Sequence, residues 1–430
     1  MKAKYIFRLL LLAVLFLSIQ ENTLAQNQDI EQQIYVDEEE CGCDLYFIDG
    51  IQKTHKGGKF GFKRYDGKVL TPNIYTYTDR FQNGYCKVSK NDSLCGIIDS
   101  TGKEIIPCEY QDLDYPKEGK IRFQKDNKYG FLDINNNVVI PNTYLAASSF
   151  FEGLAVVAVF IDSITVNYGF IDGNNNMVIQ PKYQYAMPFV ENYAVVKQYD
   201  RQGVIDKTGK EVLPIKYDFV SPMNKGLFWA YYDGGLALFN NKFKQLTPFI
   251  YQDANPVYSE ELFPVMRDGK WGFVNKKGKE KIPCQYEMVS PFKEGRAMVM
   301  LGKRYGIIDK KGRYVLPIEY GPAGLRSNAY IYCDGLAMVE KGGKFGFVDV
   351  DGKVVVPLKY ESAYHFAEGL APVKLNEKWG FINTKGEVVI AFKFEIASFF
   401  ENGRAEVYLS GKAHKINTKG QCVKNCKNFR

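Results

Sequence analysis

The chain has 430 residues, 46% of them hydrophobic and 24% charged, which is enough apolar material for a sizeable core. Thirty Tyr, thirty Phe and 39 Gly favour strands and tight turns; an α-helical repeat protein would be rich in Ala and Leu instead. The net charge of +7 is spread along the chain rather than gathered into a stripe, which removes the case for nucleic acid.

At the N-terminus, Lys2, Lys4 and Arg8 precede an apolar run from Leu9 to Ile19, and Thr23-Leu24-Ala25 follows with small residues at the sites a signal peptidase inspects. The run is short of the ~20 residues that cross a bilayer. Residues 1–25 therefore read as a cleaved secretory signal, and the protein as exported: periplasmic, outer-envelope associated or secreted. No later segment is long and apolar enough to span a membrane, so an integral membrane protein is not expected after cleavage. Residues 26–50, with the acidic run Asp37-Glu38-Glu39-Glu40, read as a lead-in or N-terminal cap.

From residue 51 to 420 the chain repeats. A Gly following an aromatic, as in Trp379-Gly380, recurs at Gly61, Gly96, Gly130, Gly169, Gly203, Gly272, Gly306, Gly346 and Gly380, with Ala237 and His414 in the sixth and eleventh copies. The successive spacings are 35, 34, 39, 34, 34, 35, 34, 40, 34 and 34. Other positions keep step with this anchor. Six residues on stands a Gly such as Gly102 or Gly312, replaced by Asn136, Asn175 and Phe243. Eleven on stands a Pro such as Pro141 or Pro283, and fourteen on an aromatic, from Tyr75 through Tyr183 and Tyr286 to Phe394.

Each position has a physical reading. In Asp99-Ser100-Thr101-Gly102 the Asp opens a turn by accepting from backbone N–H groups, and Gly closes it at positive φ; Asn is the substitute that best tolerates that conformation. The Pro is expected to end the next strand. A second signature, Phe366-Ala367-Glu368-Gly369, opens another strand, with its Glu expected to cap that turn. One repeat then reads as a three-stranded β-meander followed by an irregular stretch carrying the Tyr. Such a unit cannot bury its apolar side alone, so neighbours must stack. The recurring Tyr are expected to pack between repeats rather than to form a ligand-stacking surface.

These features predict an all-β tandem array of about eleven three-stranded meanders, solenoid-like or curved into a superhelix, with residues 421–430 as a C-terminal tail. Two insertions interrupt the period, one around Ala158 to Val166 and one around Gly321 to Tyr332, and insertions in repeat arrays map to exposed loops and binding faces. The sixth copy, lacking both glycines, is a candidate kink or contact site.

Nine Cys allow disulfides in an oxidising compartment but leave at least one thiol over. Cys41 with Cys43 and Cys422 with Cys426 flank the array and are candidates to staple its ends; Cys86 and Cys95 lie on two arms of a predicted hairpin. Only three His exist, His55, His365 and His414, read as separate surface residues, so no metal site is expected. No phosphate-binding Gly-rich loop, Gly-x-Ser-x-Gly elbow or His-Glu-x-x-His is present. Periodic acids do not make a catalytic pair, so no catalytic, cofactor-binding or metal-binding residues are assigned and no cofactor is expected.

At Trp271-Gly272 and Trp379-Gly380 the chain resembles the WG-repeat family, with Phe60-Gly61, Tyr129-Gly130 and Phe345-Gly346 as variants of the same pair. The resemblance covers residues 51 to 420. It implies a β-rich array, often exported, and brings no catalytic residues. The functional expectation is a non-catalytic binding or scaffolding protein outside the cytoplasm, with protein or cell-wall glycan as partner. The alternative is a glycan-binding protein with exposed stacking aromatics, and a hydrolase is the weakest reading.

Overall fold

The computed structural model describes residues 47–48, 50–91, 93–255, 259–293, 295–321, 332–424, 426 and 429. Residues 1–25, read from the sequence as a signal, most of the expected lead-in with Cys41 and Cys43, and residues 322–331 of the second insertion lie outside them. The described residues form strands and turns only, in eleven consecutive antiparallel sheets. Two compact units result. Residues up to Glu109 make the first and Tyr110 onward the second.

Nine of the eleven sheets have four strands, one more than the sequence suggested. The tenth sheet shows the pattern: Ser362–Ala363, Leu370–Leu375, Lys378–Asn383 and Val388–Phe394. The stretch after the recurring Tyr, read as irregular, supplies a two-residue first strand in all but the ninth sheet among the described residues, here pairing Ser362 with Lys374 and Ala363 with Val373. Two-residue strands carry no alternation of their own, so periodicity could not reveal them.

The Pro does not end its strand. Pro141 lies inside Val138–Tyr144, the outermost strand of the third sheet, where a missing N–H costs no ladder bond. Tyr129 pairs with Tyr144 and Phe131 with Ile140, so Pro141, Asn142 and Thr143 bulge opposite Gly130 alone. This bulge explains the anchor glycine. A Cβ on Gly130 would lie 2.6 Å from the Ile140 carbonyl oxygen, and one on Gly380 2.7 Å from that of Ile390. The sixth copy keeps a Cβ at Ala237, and its sheet stops at three strands, Phe219–Val220, Leu227–Tyr232 and Gly235–Asn240. Its Phe243 takes the turn at φ 58° and packs its ring on Tyr193 and Phe228.

Sheets stack through clusters that draw on two neighbours. Val156 and Phe170 of the fourth sheet meet Val196 and Ile205 of the fifth; Trp379 and Phe381 of the tenth meet Ala405, Val407 and Ile416 of the eleventh. Both faces of the inner strands are therefore buried, as in Leu154-Ala155-Val156-Val157-Ala158. At the C-terminus the segment read as a tail forms the last strand, Cys422–Lys424, and Phe429 packs on Phe394 and His414.

Candidate functional site

The recurring residues are the first candidates, and the structure spends them on the array itself. The fourteenth-position aromatics are all buried, from Tyr183, Tyr286 and Phe394 at 0% exposure to Tyr320 at 8%. The hydroxyls of Tyr110 and Tyr144 donate to the Oδ1 atoms of Asn136 and Asn175, the residues holding later turns at φ 66° and 67°. The expectation of packing rather than ligand stacking holds for these residues.

The Asp-x-x-Gly turns behave as expected. Asp309 Oδ1 accepts from the backbone N–H groups of Lys311 and Arg313, and Asp206 Oδ1 from those of Thr208 and Lys210. Asn275 and Asn383 make the same pair of bonds. Hydrogen bonds from the Asn137 side chain and backbone hold the Asp133 carboxyl below its ordinary value, and Asn176 does the same for Asp172.

The Glu of the second signature does something the sequence did not disclose. Glu118-Gly119, Glu152-Gly153 and Glu368-Gly369 have positive φ at both residues, the requirement of a type I′ turn. Glu is a costly occupant of that first position. Its carboxylate reaches the corresponding turn of the next repeat. Glu118 accepts from Glu152 N and Gly153 N at 2.7 and 2.9 Å, Glu152 from Asn192 N at 2.9 Å, and Glu191 from Gly226 N at 2.8 Å. Glu260, Asp334 and Glu368 repeat the contact to Gly295, Gly369 and Gly403. The expected cap is real, but it closes the neighbour's turn.

A second capping set also escaped the sequence reading. The residue directly after the recurring Tyr is often Gln or Glu, and it closes the hairpin of its own sheet. Gln111 accepts from Asn127 N at 2.8 Å, Gln252 from Gly269 N at 2.7 Å and Glu395 from Gly411 N at 2.9 Å. The signal was available as a Tyr-Gln or Tyr-Glu pair in step with the anchor.

Non-repeating polar groups converge around Arg122 in the third sheet. Arg122 bonds Asp114 at 2.6 and 2.7 Å and Asp112 at 2.9 Å, and Ser149 donates to Asp114 at 2.6 Å. Burial works against the guanidinium charge, and the two carboxylates outweigh it. Both acids are thus committed to a largely buried cation.

The cysteine and histidine candidates do not come together. Cys86 stands opposite Ile98 and Cys95 opposite Ser89, so the expected hairpin disulfide does not form. Burial pushes the Cys86 thiol up to about 12, which keeps it protonated and inert. Cys422 and Cys426 are bonded to each other, closing the last sheet locally. His55 and His365 are exposed, whereas His414 is buried against Phe429, contrary to the surface reading, because it fills the anchor position beside the C-terminal cap. Among the described residues no group of His, Cys, Asp and Glu could hold a metal ion, and no helix is long and apolar enough to cross a membrane.

The first insertion lengthens one hairpin. The fourth sheet pairs seven residues, Leu154 with Asp172 through Phe160 with Val166, where the fifth pairs six. Its tip carries Phe160, Ile161 and Ile164 in solvent, as the sequence suggested for an exposed insertion.

Small antiparallel sheets in tandem, packed through shared apolar clusters and in most copies anchored by a glycine under a bulged edge strand, define a β-repeat array protein. The WG containing repeat matches residues 60–93, 96–129, 129–159, 168–201, 203–235, 238–271, 271–305, 305–324, 345–379 and 379–412, and the chain belongs to that family. No curated protein matches its sequence. Among solved structures, a eukaryotic initiation factor is similar at 8% identity and a TM-score of 0.34, over 76% of this chain and 96% of that one. The extracellular domain of a putative hybrid two-component system from B. thetaiotaomicron is similar at 11% identity and a TM-score of 0.22, over 87% and 68%. PorZ, a surface component of the type-IX secretion system of Porphyromonas gingivalis, is similar at 9% and 0.21, over 85% and 67%.

Proposed function

We propose that the protein is a non-catalytic binding or scaffolding array that acts outside the cytoplasm and takes a protein as its partner. The observation that carries this reading is the use of the recurring polar groups. The turn Asp, the second-signature Glu and, where present, the Gln or Glu after the Tyr are engaged with backbone amides. A hydrolase needs carboxylates held apart from such duty and brought together at a cleft. Asp112 and Asp114, the acids that do converge, serve Arg122. What remains for function is an extended surface on which weak contacts add.

The signal-like N-terminus and the Cys422–Cys426 disulfide both suit an oxidising, extracytoplasmic destination. Protein is favoured over glycan because the aromatics in register are buried. The exposed ones, such as Tyr65, Tyr199, Tyr314 and Tyr364, occupy different places in their repeats and form no stacking row among the described residues. Residues 26–430, immobilised and incubated with envelope extract and separately with soluble peptidoglycan fragments, should retain a protein and return it unaltered. Retention of glycan alone supports the alternative reading. Release of cleaved products, or retention of nothing, overturns the proposal.

A further inference from the structure

In the sixth, seventh and eighth sheets, the turn that opens the second strand lies beside the turn that closes the third. Leu227 stands opposite Asn240, Leu262 opposite Asn275 and Arg296 opposite Asp309. Successive sheets bring these turns together. A Cβ on Gly278 would meet the Leu246 backbone, just past the sixth sheet's turn, and one on Gly312 would meet the Ile282 side chain of the seventh sheet. The three pairs of turns thus form one ridge across two sheet spacings, ~20 Å.

The ridge is basic. Turns of the sixth sheet carry Lys225, Lys242 and Lys244 and no acid. Those of the seventh carry Lys276, Lys277, Lys279 and Lys281 against Glu260, Glu261 and Glu280. The eighth sheet adds Lys293, Arg296, Lys310, Lys311 and Arg313 against Asp309 and Glu294, the last lying outside the described residues. Twelve cations therefore face five carboxylates. The four described carboxylates are already paired. Glu261 holds Lys276 at 3.3 Å, Glu260 holds Lys310 at 2.9 Å, Asp309 holds Arg313 at 2.6 Å, and Glu280 reaches back to Arg267 at 3.0 Å. Lys242, Lys244, Lys277, Lys279, Lys281 and Lys311 stand exposed and make no ion pair among the described residues. The excess stops on either side. Corresponding turns of the fifth sheet carry Glu191, Asp206 and Glu211 against Lys207 and Lys210, and those of the ninth carry Asp334, Asp349 and Asp351 against Lys353. Charge that reads as dispersed along the chain is gathered here by stacking.

We infer that the turn ridge of the sixth to eighth sheets, with Lys242, Lys244, Lys277, Lys279, Lys281 and Lys311 unpaired along it, holds an extended acidic segment of a partner protein. The inference deepens the binding reading above and rests on it. Crowded like charges repel one another in the free protein, and a segment of opposite charge both relieves that repulsion and is drawn in by it. At ~3.3 Å per residue, about six residues of extended chain cover the ridge. The sixth copy, marked in the sequence as a contact site, gives the ridge a fixed turn: the Phe243 ring packs on Tyr193 and Phe228 while Lys242 and Lys244 on either side stand in solvent. A bilayer is the poorer occupant. Its surface is broad enough to meet the acidic turns of the fifth and ninth sheets, which anionic headgroups repel.

The probe is a fluorescein-labelled peptide of alternating Glu and Ser, about eight residues long to span the ridge, titrated against residues 26–430. It should bind with an affinity that weakens with salt and falls at least ten-fold in the ridge variant Lys242→Glu, Lys244→Glu, Lys277→Glu, Lys279→Glu. Gln at the same four positions should cause a smaller loss, and it keeps the test readable if the reversed charges disturb circular dichroism. The control variant Lys59→Glu, Lys128→Glu, Lys378→Glu, Lys412→Glu changes net charge equally at exposed positions elsewhere and should stay within two-fold of the native chain. Carbodiimide coupling should join the peptide to ridge lysines, located by mass spectrometry. A protein retained from envelope extract should be lost with the ridge variant and kept with the control. Equal loss in the control, coupling scattered over the surface, or tighter binding of phosphatidylglycerol vesicles, dextran sulfate or a DNA oligonucleotide overturns the inference. Envelope protein retained equally by native and ridge-variant chains also overturns it, while leaving the broader binding reading standing. Failure to bind the peptide together with retention of no protein counts against both.

Discussion

Two residue types do the local work in most copies, for different reasons. The anchor glycine is required by proximity, since the bulged outer strand passes within 2.5 Å of a Cβ at Gly272 through the Ile282 carbonyl oxygen. The turn Asp or Asn is required by its oxygen, which satisfies two backbone donors at once. Asp and Asn do this equally well in geometry but differ in acid. Hydrogen bonds from Asn137, Asn176 and Thr208 lead the causes that lower Asp133, Asp172 and Asp206 below the ordinary carboxylate value. Their folded pKa values lie under the unfolded value of ~3.9. Their contribution is therefore complete above that value and lost as pH falls through the folded ones. Urea midpoints measured from pH 6 to pH 2 should fall on acidification, and the triple variant Asp133→Asn, Asp172→Asn, Asp206→Asn should fall less steeply. An identical slope would show that these carboxylates do not contribute to acid sensitivity.

At the scale of the element, the hairpins are closed by partners that lie elsewhere in the array. Glu361 closes the Asn376-Glu377 turn of its own sheet, while Glu368 accepts from Gly403 N in the next. The second kind couples stacked sheets by a hydrogen bond as well as by apolar burial. Glu368→Ala should cost about 0.5–1.5 kcal/mol, the usual net worth of such a bond. The informative readout is its location. Amide exchange should quicken at Gly403, one repeat away, with little change at Gly369, whose own N–H donates to Asp334 at 2.8 Å. Acceleration at Gly369 instead would mean that the carboxylate serves its own turn.

For the molecule as a whole, stability depends on like units meeting like units. Deleting residues 273–306 removes one 34-residue period and joins Trp271-Gly272 to Ile307, in the place that Tyr305-Gly306 holds now. The seventh and eighth sheets would merge into one of the same pattern. This shortened chain should be soluble, with an unchanged circular dichroism spectrum per residue and cooperative urea unfolding. Removing only residues 273–289 breaks the register and should leave an aggregating product. Equal behaviour of the two deletions would contradict the stacked-repeat account.

The sequence by itself determined the unit, its number and its turns. The anchor, turn glycine and aromatic are dictated by short-range backbone geometry, so they recur at readable spacings, and burial of Tyr183 or Tyr286 follows because an in-step aromatic is what stacked sheets need. Tertiary structure alone decided the rest. The two-residue first strand, such as Ser362–Ala363, is too short for alternation, and Pro141 shows itself as part of a bulge once its pairing partners are known. Likewise Glu152 was visible as a polar turn residue, but its acceptor role toward Asn192 exists only when the fifth sheet stacks on the fourth. Spacing along the chain records what a residue does to its own backbone; which neighbour its side chain meets is settled by the packing of one sheet on the next.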